Sequence, residues 1–429
     1  MVRYLFMSLL TLLMAPVFLL AAALPSRKRE KLIWGSAPLI SNKYWSEALK
    51  EAGRPSLTLM EDFYSHINRR EDFDLLFEDF APAWLPRKIQ MGLGTCFALI
   101  FVLRNARVVH IPFSGFALNN VLLWKLESRL FRLAGIKIVV MPFGADFYMY
   151  SRVMDTTLRY GLLASYPGLA KAEAKISRRV EHWCRHADAV IAGFLIDGLG
   201  RWDVTLPQMF SIDTKRWQPK TVYSDADGSK GSVRILHTPN HRGYKGTEFI
   251  VAAVEQLKRE GLQVELILLE RVMNDEVRRV MSEVDILAEQ IIFTGYALSG
   301  IEGMASGLPV LANLQPGPYT DLFRRYAFLE ECPILSTTVE SVTDNLRILV
   351  TNPALRETLG RAGRAYAEKY HSYRSAEYLF GSVHRKLLDG ADVDLINLFH
   401  PLKSDYSSGF PPIEHPLRAG RLTEDIGGD

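Results

Sequence analysis

The chain has 429 residues, 48% of them hydrophobic and 23% charged, with a formal net charge of +3. That length allows two or three domains, and the composition excludes a collagen, a coiled coil and a mainly disordered chain. Lys and Arg number 51 against 48 Asp and Glu, a balance that argues against a nucleic-acid partner bound by phosphate neutralisation. The three cysteines, Cys96, Cys184 and Cys332, are far apart. They form no disulfide framework and no metal-ligand spacing, and they fit a reducing compartment.

The chain opens on an uncharged run from Tyr4 to Leu24. As a helix it would be about 31 Å long, close to the hydrocarbon core of a bilayer. Ala21-Ala22-Ala23 resembles the end of a cleavable signal peptide. Against cleavage, the run is long and Arg27, Lys28, Arg29 and Lys31 follow at once. The positive-inside rule favours an uncleaved transmembrane anchor with the rest of the protein at the cytoplasmic face. Pro16 would kink such a helix and is tolerated in lipid. A second apolar run, Met91 to Leu103, is too short to span. It reads as a buried helix, or as one half-sunk among headgroups.

Short β-rich runs then alternate with helical patterns. Leu32–Trp34, Leu57–Met60, Arg107–Ile111, Ile136–Met141 and Asp188–Ala192 are strand candidates; Tyr44–Ala52 and Asn119–Ala134 read as helices. The pattern pauses in a polar, Gly-rich and Ser-rich stretch and restarts at Val233. Val264–Leu269, Ile291–Phe293 and Leu308–Leu311 follow as strands. The expected fold class is α/β, two Rossmann-like doubly wound domains behind an N-terminal membrane segment. The boundaries read as 1–30 for the anchor or signal, 31–215 and 233–390 for the two domains, and 216–232 for a linker. Residues 391–429 read as an irregular tail.

No phosphate loop of the GxxxxGK[ST] type, no HExxH, no paired CxxC and no GxSxG is present. Two clusters could carry chemistry. Thr238 to Thr247 lies where a strand gives way to a helix and holds His241, Arg242 and Lys245 among glycines. Backbone N–H groups, a helix N-terminus and two cations around one point suit a diphosphate, although a solvated basic loop has the same composition. Gly300 to Val310 places Glu302 near the start of a small-residue helix that runs into a strand. Such a Glu can accept hydrogen bonds from ribose hydroxyls, or can simply favour the helix dipole.

Lys245-Gly246-Thr247 together with Glu302 to Val310 resembles the donor half of GT-B glycosyltransferases of the group-1, family-4-like class. The resemblance covers about Val233 to Leu379. It takes in Asp285-Ile286 and Gln290 as the strand and turn before the Glu helix, and Arg361 to His371 as the helix that closes the donor domain. It implies that Arg242 and Lys245 hold the donor diphosphate and that Glu302, Gly303 and Gly246 line the nucleotide. The family's E-x7-E motif has its second Glu at Glu302; its first falls at Thr294. In the N-terminal half, Phe143-Gly144-Ala145-Asp146 resembles the family's HGxD turn with Phe for His, which makes Asp146 a candidate contact to acceptor or donor sugar. Gly35 and Ser36 fall where the family brings backbone close to ligand. His110, at another strand end, is a candidate polar contact.

The expectation is a glycosyltransferase that moves a sugar from a nucleotide-diphosphate donor to a glycan or lipid-linked acceptor, in polysaccharide or glycoconjugate synthesis. The class implies retention, no metal and no cofactor beyond the donor substrate. Asp225 with Asp227, and Asp392 with Asp394, have DxD spacing but read as solvated pairs. The basic helix Lys171–Arg185 reads as a solvated face, with an anionic lipid or lipid-phosphate acceptor as the alternative. Two other readings stay open. One is a GT-B-like nucleotide-binding protein without transferase activity, motivated by Thr294 and Phe143. The other is a secreted two-domain receptor, motivated by the N-terminus.

Overall fold

The computed structural model describes residues 2–65 and 67–422. Helix α1 (Val2–Ala23) runs unbroken through Pro16. The first half then alternates β1 (Lys31–Trp34), α2 (Ile40–Glu51), β2 (Ser56–Met60), β3 (Leu75–Leu76), α3 (Arg87–Asn105), β4 (Ala106–Ile111), α4 (Leu126–Leu133), β5 (Lys137–Val140), α5 (Thr156–Ser165), α6 (Pro167–Ala170), α7 (Glu173–His186), β6 (Ala189–Ala192) and β7 (Val204–Thr205). The second half continues with β8 (Val233–His237), α8 (Arg242–Lys245), α9 (Thr247–Arg259), β9 (Val264–Leu268), α10 (Asn274–Met281), β10 (Ile286–Thr294), α11 (Leu298–Ala305), β11 (Val310–Asn313), α12 (Pro318–Tyr326), β12 (Leu335–Ser336), α13 (Val342–Thr351), α14 (Pro353–Tyr370) and α15 (Tyr373–Asp389). A short hairpin, β13 (Leu417–Arg418) with β14 (Arg421–Leu422), follows.

Two sheets organise these elements. The first has seven strands in the order β3-β2-β1-β4-β5-β6-β7, the second five in the order β12-β11-β10-β8-β9. Every pairing within them is parallel. Parallel strands are buried on both faces, and so Val108-Val109, Ile138 to Val140 and Ile235-Leu236 are apolar in succession rather than alternating. Helix α15 returns from the second half and packs on α2 of the first, where Phe380 meets Trp34 edge-on at 4.7 Å and Trp45 at 5.8 Å. One hydrophobic cluster therefore draws on both halves.

Several expected elements differ in extent. The helix expected over Asn119–Ala134 forms only from Leu126, and Leu122 is exposed. The run Met91–Leu103 is part of α3, whose inner face, including Leu99, Val102 and Leu103, is buried. The stretch 216–232 packs against the second half: Trp217 is buried, and buried Arg356 donates to the carbonyls of Ser224 and Ala226. The expected strand at Ile291–Phe293 is the end of a longer one, because β10 starts at Ile286 and carries Glu289 and Gln290 inside it. The tail expected to be irregular contains short 3-10 turns and the β13–β14 hairpin; its part beyond residue 422 lies outside the described residues.

Candidate functional site

A doubly wound sheet opens a crevice where its strand order reverses, beyond the carboxyl ends of the strands. In the second sheet this point lies between β8 and β10. From β8 the chain enters α8, a single turn closed by Gly246 with φ of 77°. A Cβ there would sit 2.5 Å from Ile291 Cγ1, so the position needs glycine for both conformation and space. The turn carries Lys245 inward. Its Nζ donates to the Glu289 carboxylate and, at 2.9 Å, to Gln290 Oε1. The side chains of Lys245 and Glu289 are 4% and 0% exposed.

Glu289 also accepts from Ser299 Oγ at 2.8 Å and, at a long 3.5 Å, from the Ala297 backbone N–H. Its carboxylate thus rests against the first residues of α11, where the helix dipole favours negative charge. Glu302 lies farther along α11. Asn274, at the start of α10, donates to Glu302 Oε1 at 2.9 Å. Burial pushes the Glu302 carboxyl up to about 8, against the opposing pull of Asn274 and Lys245. Tyr44, from α2 of the other half, lies close enough for Glu302 to add to the upward push that burial gives its hydroxyl. The crevice therefore gathers a lysine, two carboxyl groups and a helix N-terminus in a buried space.

The first sheet has its crevice between β1 and β4. A Cβ on Gly35 would lie 2.3 Å from the Leu59 carbonyl oxygen and 2.6 Å from Phe116 Cε2. Gly35 lines a narrow hollow together with Asn42, Trp45, His110, Met141 and Phe143. Ser36 is buried, and its carbonyl accepts from the Glu61 N–H at 2.9 Å. Asp146 uses both carboxylate oxygens on backbone: Oδ2 accepts from Phe113 N at 2.8 Å, and Oδ1 from Phe143 N at 3.0 Å and Gly144 N at 3.1 Å. Burial pushes it up to about 7 against these bonds. Asp146 thus ties the loop after β5 to the loop after β4. Glu127 anchors the next stretch in the same way, accepting from the N–H groups of Phe116, Ala117 and Leu118.

No protein-family model and no curated protein matches this chain. Solved structures do. A sucrose-phosphate synthase from Thermosynechococcus elongatus aligns over 85% of this chain and 100% of its own, at 13% identity and a TM-score of 0.52. An alpha-glucosyltransferase, solved with UDP and a mismatched DNA, aligns over 83% of this chain and 99% of its own, at 11% identity and a TM-score of 0.51. The chain has the GT-B fold. Identities this low carry the architecture; the roles of residues rest on the geometry above.

Within this GT-B frame the expected site residues separate into groups. Lys245, Gly246 and Glu302 converge at the β8–β10 crevice. Arg242 does not join them: it turns outward to Glu248 at 2.8 Å and Glu270 at 3.1 Å. Gly303 presents its Cα to the sheet, where a Cβ would lie 2.3 Å from Leu287 Cδ2, so glycine there lets α11 pack close on β10. His110 is no free polar contact. It is 1% exposed, stacks on Trp34 at 3.6 Å and meets His384 of α15 through the two Nε2 atoms at 3.0 Å. Glu289, Asn274 and Tyr44 were not among the expected residues. Glu289 had a signal, a carboxylate inside an otherwise apolar strand, which burial tolerates only when it is paired. Asp227 closes a turn through the N–H groups of Ser229 and Lys230. Asp392 and Asp394 line a hollow of about 630 Å³ beside α15. Among the described residues no group of three or more His, Cys, Asp or Glu could hold a metal ion.

Proposed function

We propose that this protein is a glycosyltransferase that takes a sugar from a nucleotide-diphosphate donor and passes it to a glycan or lipid-linked acceptor. One observation carries the reading: Lys245, Glu289 and Glu302 are buried together against the start of α11 at the switch point of the second sheet. Perturbed titratable groups gathered in a crevice mark a candidate functional site. The donor diphosphate takes the place beside Lys245 and the α11 N-terminus, which together stabilise the negative charge that grows as the glycosidic bond to phosphate breaks. The ribose hydroxyls face Glu302. The acceptor lies in the first-half crevice, near Gly35 and Ser36, with Asp146 shaping its wall. Retention, independence of metal and a role in polysaccharide or glycoconjugate synthesis at the cytoplasmic face of a membrane belong to the same proposal and follow from the group-1 resemblance.

Glu289 favours a second reading. Its carboxylate already occupies the anion position beside Lys245, and Thr294 stands where the family motif has a Glu. A protein that binds nucleotide without transferring sugar fits both facts.

Calorimetry with UDP, GDP and ADP tests the shared premise. Removing Lys245 alone would strand a buried carboxylate, at a cost of about 3–5 kcal/mol, so the control is the charge-matched pair Lys245→Met with Glu289→Gln. One nucleotide is expected to bind, and the paired variant to weaken it by about 10- to 100-fold, the worth of one charge-assisted bond. No binding by any of the three nucleotides would sink the donor site. Binding without release of sugar from any matching nucleotide-sugar would select the second reading.

A further inference from the structure

Helix α1 is apolar all round, a pattern that belongs to helices buried in protein or in lipid. One of its faces is buried in protein. Phe18, Ala21 and Ala22 belong to the core of the first half, and Met7, Leu10 and Met14 pack against that core. The helix contacts α3 and α4. Near its start, a Cβ on Gly92 of α3 would lie 3.0 Å from Phe6 and 3.2 Å from Leu10. Ser8 Oγ accepts from the Leu122 N–H at 3.0 Å, and past its end Ser26 N donates to the Arg104 carbonyl at 2.9 Å. The two helices therefore run side by side in the same direction.

The opposite face is open. Leu5, Leu9, Leu13, Val17, Leu20 and Leu24 recur at helical spacing and are all exposed. The surface around them is apolar too: Leu122 is 71% exposed and Trp84, just before α3, is 81% exposed. Around this apolar centre stand exposed bases: Arg27 and Lys28 after α1, Arg87 and Lys88 at the start of α3, and Lys125 and Arg129 at α4. An apolar strip with a basic rim matches a bilayer that carries anionic headgroups.

We propose that α1 lies in the plane of an anionic membrane surface, its outer leucine face sunk among the acyl chains, and does not cross the bilayer. Crossing would require α1 to leave α3, uncovering Gly92 and the core contacts of Phe18, Ala21 and Ala22. Helix α3 cannot accompany it, because its inner face covers the sheet and β4 follows it directly. The inference deepens the proposed membrane location and stands independently of the transferase reading.

Vesicle co-sedimentation and labelling of the full chain test it. The protein is expected to pellet with phosphatidylcholine vesicles that contain phosphatidylglycerol, and less with phosphatidylcholine alone. Arg87→Gln with Lys88→Gln lowers the partition by roughly 25-fold, about fivefold per base. The triple variant L9E/L13E/V17E changes only the outer face, so it keeps its circular dichroism and loses vesicle binding. For topology, Tyr4→Cys and Lys28→Cys are expressed separately in bacteria; Cys96, Cys184 and Cys332 are buried. An impermeant maleimide is expected to label neither position in intact spheroplasts and both after lysis. Labelling of Tyr4→Cys alone in intact spheroplasts would establish a spanning helix and overturn the proposal. So would folded wild-type protein that stays in the supernatant with anionic vesicles.

Discussion

Glu302 carries a proton that its free counterpart would have lost. Burial raises its carboxyl from 4.5 to about 8, with Asn274 Nδ2 donating to one oxygen. Between those two values the folded chain binds more protons at this group than the unfolded chain does. Stability at this position is therefore full below about pH 4.5 and is lost as pH rises toward 8. Glu302→Gln removes the titration and leaves an oxygen for Asn274. The variant is expected to match wild type in denaturant unfolding at pH 5 and to exceed it by on the order of 2 kcal/mol at pH 9. Equal unfolding midpoints at both pH values would show that no buried proton is held there. Above about pH 8, where Glu302 is ionised, the same substitution is expected to weaken nucleotide binding about tenfold, because an amide offers the ribose one acceptor where a carboxylate offers two.

The elements around the site differ in how much of them could be read beforehand. Strand β8, the turn at Gly246 and the small-residue helix α11 were legible, because apolar runs, glycine and helical spacing are local signals. Strand β10 was legible only at its end. Glu289 and Gln290 interrupt its apolar run, and their partner Lys245 comes from a turn 44 and 45 residues earlier. The outward turn of Arg242 likewise depends on Glu248 and Glu270, which local pattern does not place. Helix α15 gives the same lesson. Its spacing marks a helix, while its crossing to the first half shows in contacts distant in sequence, Phe380 on Trp34 and Trp45 and His384 on His110. His110 Nδ1 faces the Ile33 carbonyl at 3.2 Å and so carries the hydrogen; His384 Nε2 must then donate to His110 Nε2. Burial holds His384 down at about 3 and His110 well below its ordinary value. The unfolded chain therefore binds more protons below pH 6.5, and stability falls as pH falls from there toward 3. His384→Gln keeps a donor for His110 and removes one titrating group. Its unfolding free energy is expected to fall less steeply over pH 6 to 4, by up to about 1.4 kcal/mol per pH unit. An unchanged slope would mean that His384 does not resist protonation in the fold.

At the scale of the whole molecule the two sheets are joined along one side of the cleft. Helix α5 of the first half packs on α8 of the second through glycines: a Cβ on Gly161 would lie 3.0 Å from Tyr244 Cα, and one on Gly243 would lie 3.0 Å from the Gly161 carbonyl oxygen. Tyr166 approaches His241 at 4.2 Å in the same contact, and Tyr319 bonds Asp197 across the halves. The turn that delivers Lys245 is thus pressed by the other half, while Glu289 and Gln290, which accept from Lys245 Nζ, belong to the second half. This arrangement separates binding from closure. Gly161→Val adds bulk against backbone that cannot rotate away, so it should lever the halves apart and leave Lys245, Glu289 and Glu302 in place. Small-angle scattering is expected to show a larger radius of gyration for the variant. Nucleotide affinity should stay within a few-fold of wild type, because the donor groups are intact. On the proposed transferase reading, sugar transfer should fall by orders of magnitude, because an open cleft admits water and leaves donor and acceptor apart. A variant that opens and still transfers sugar at the wild-type rate would mean that the α5–α8 contact holds the fold together without taking part in the reaction.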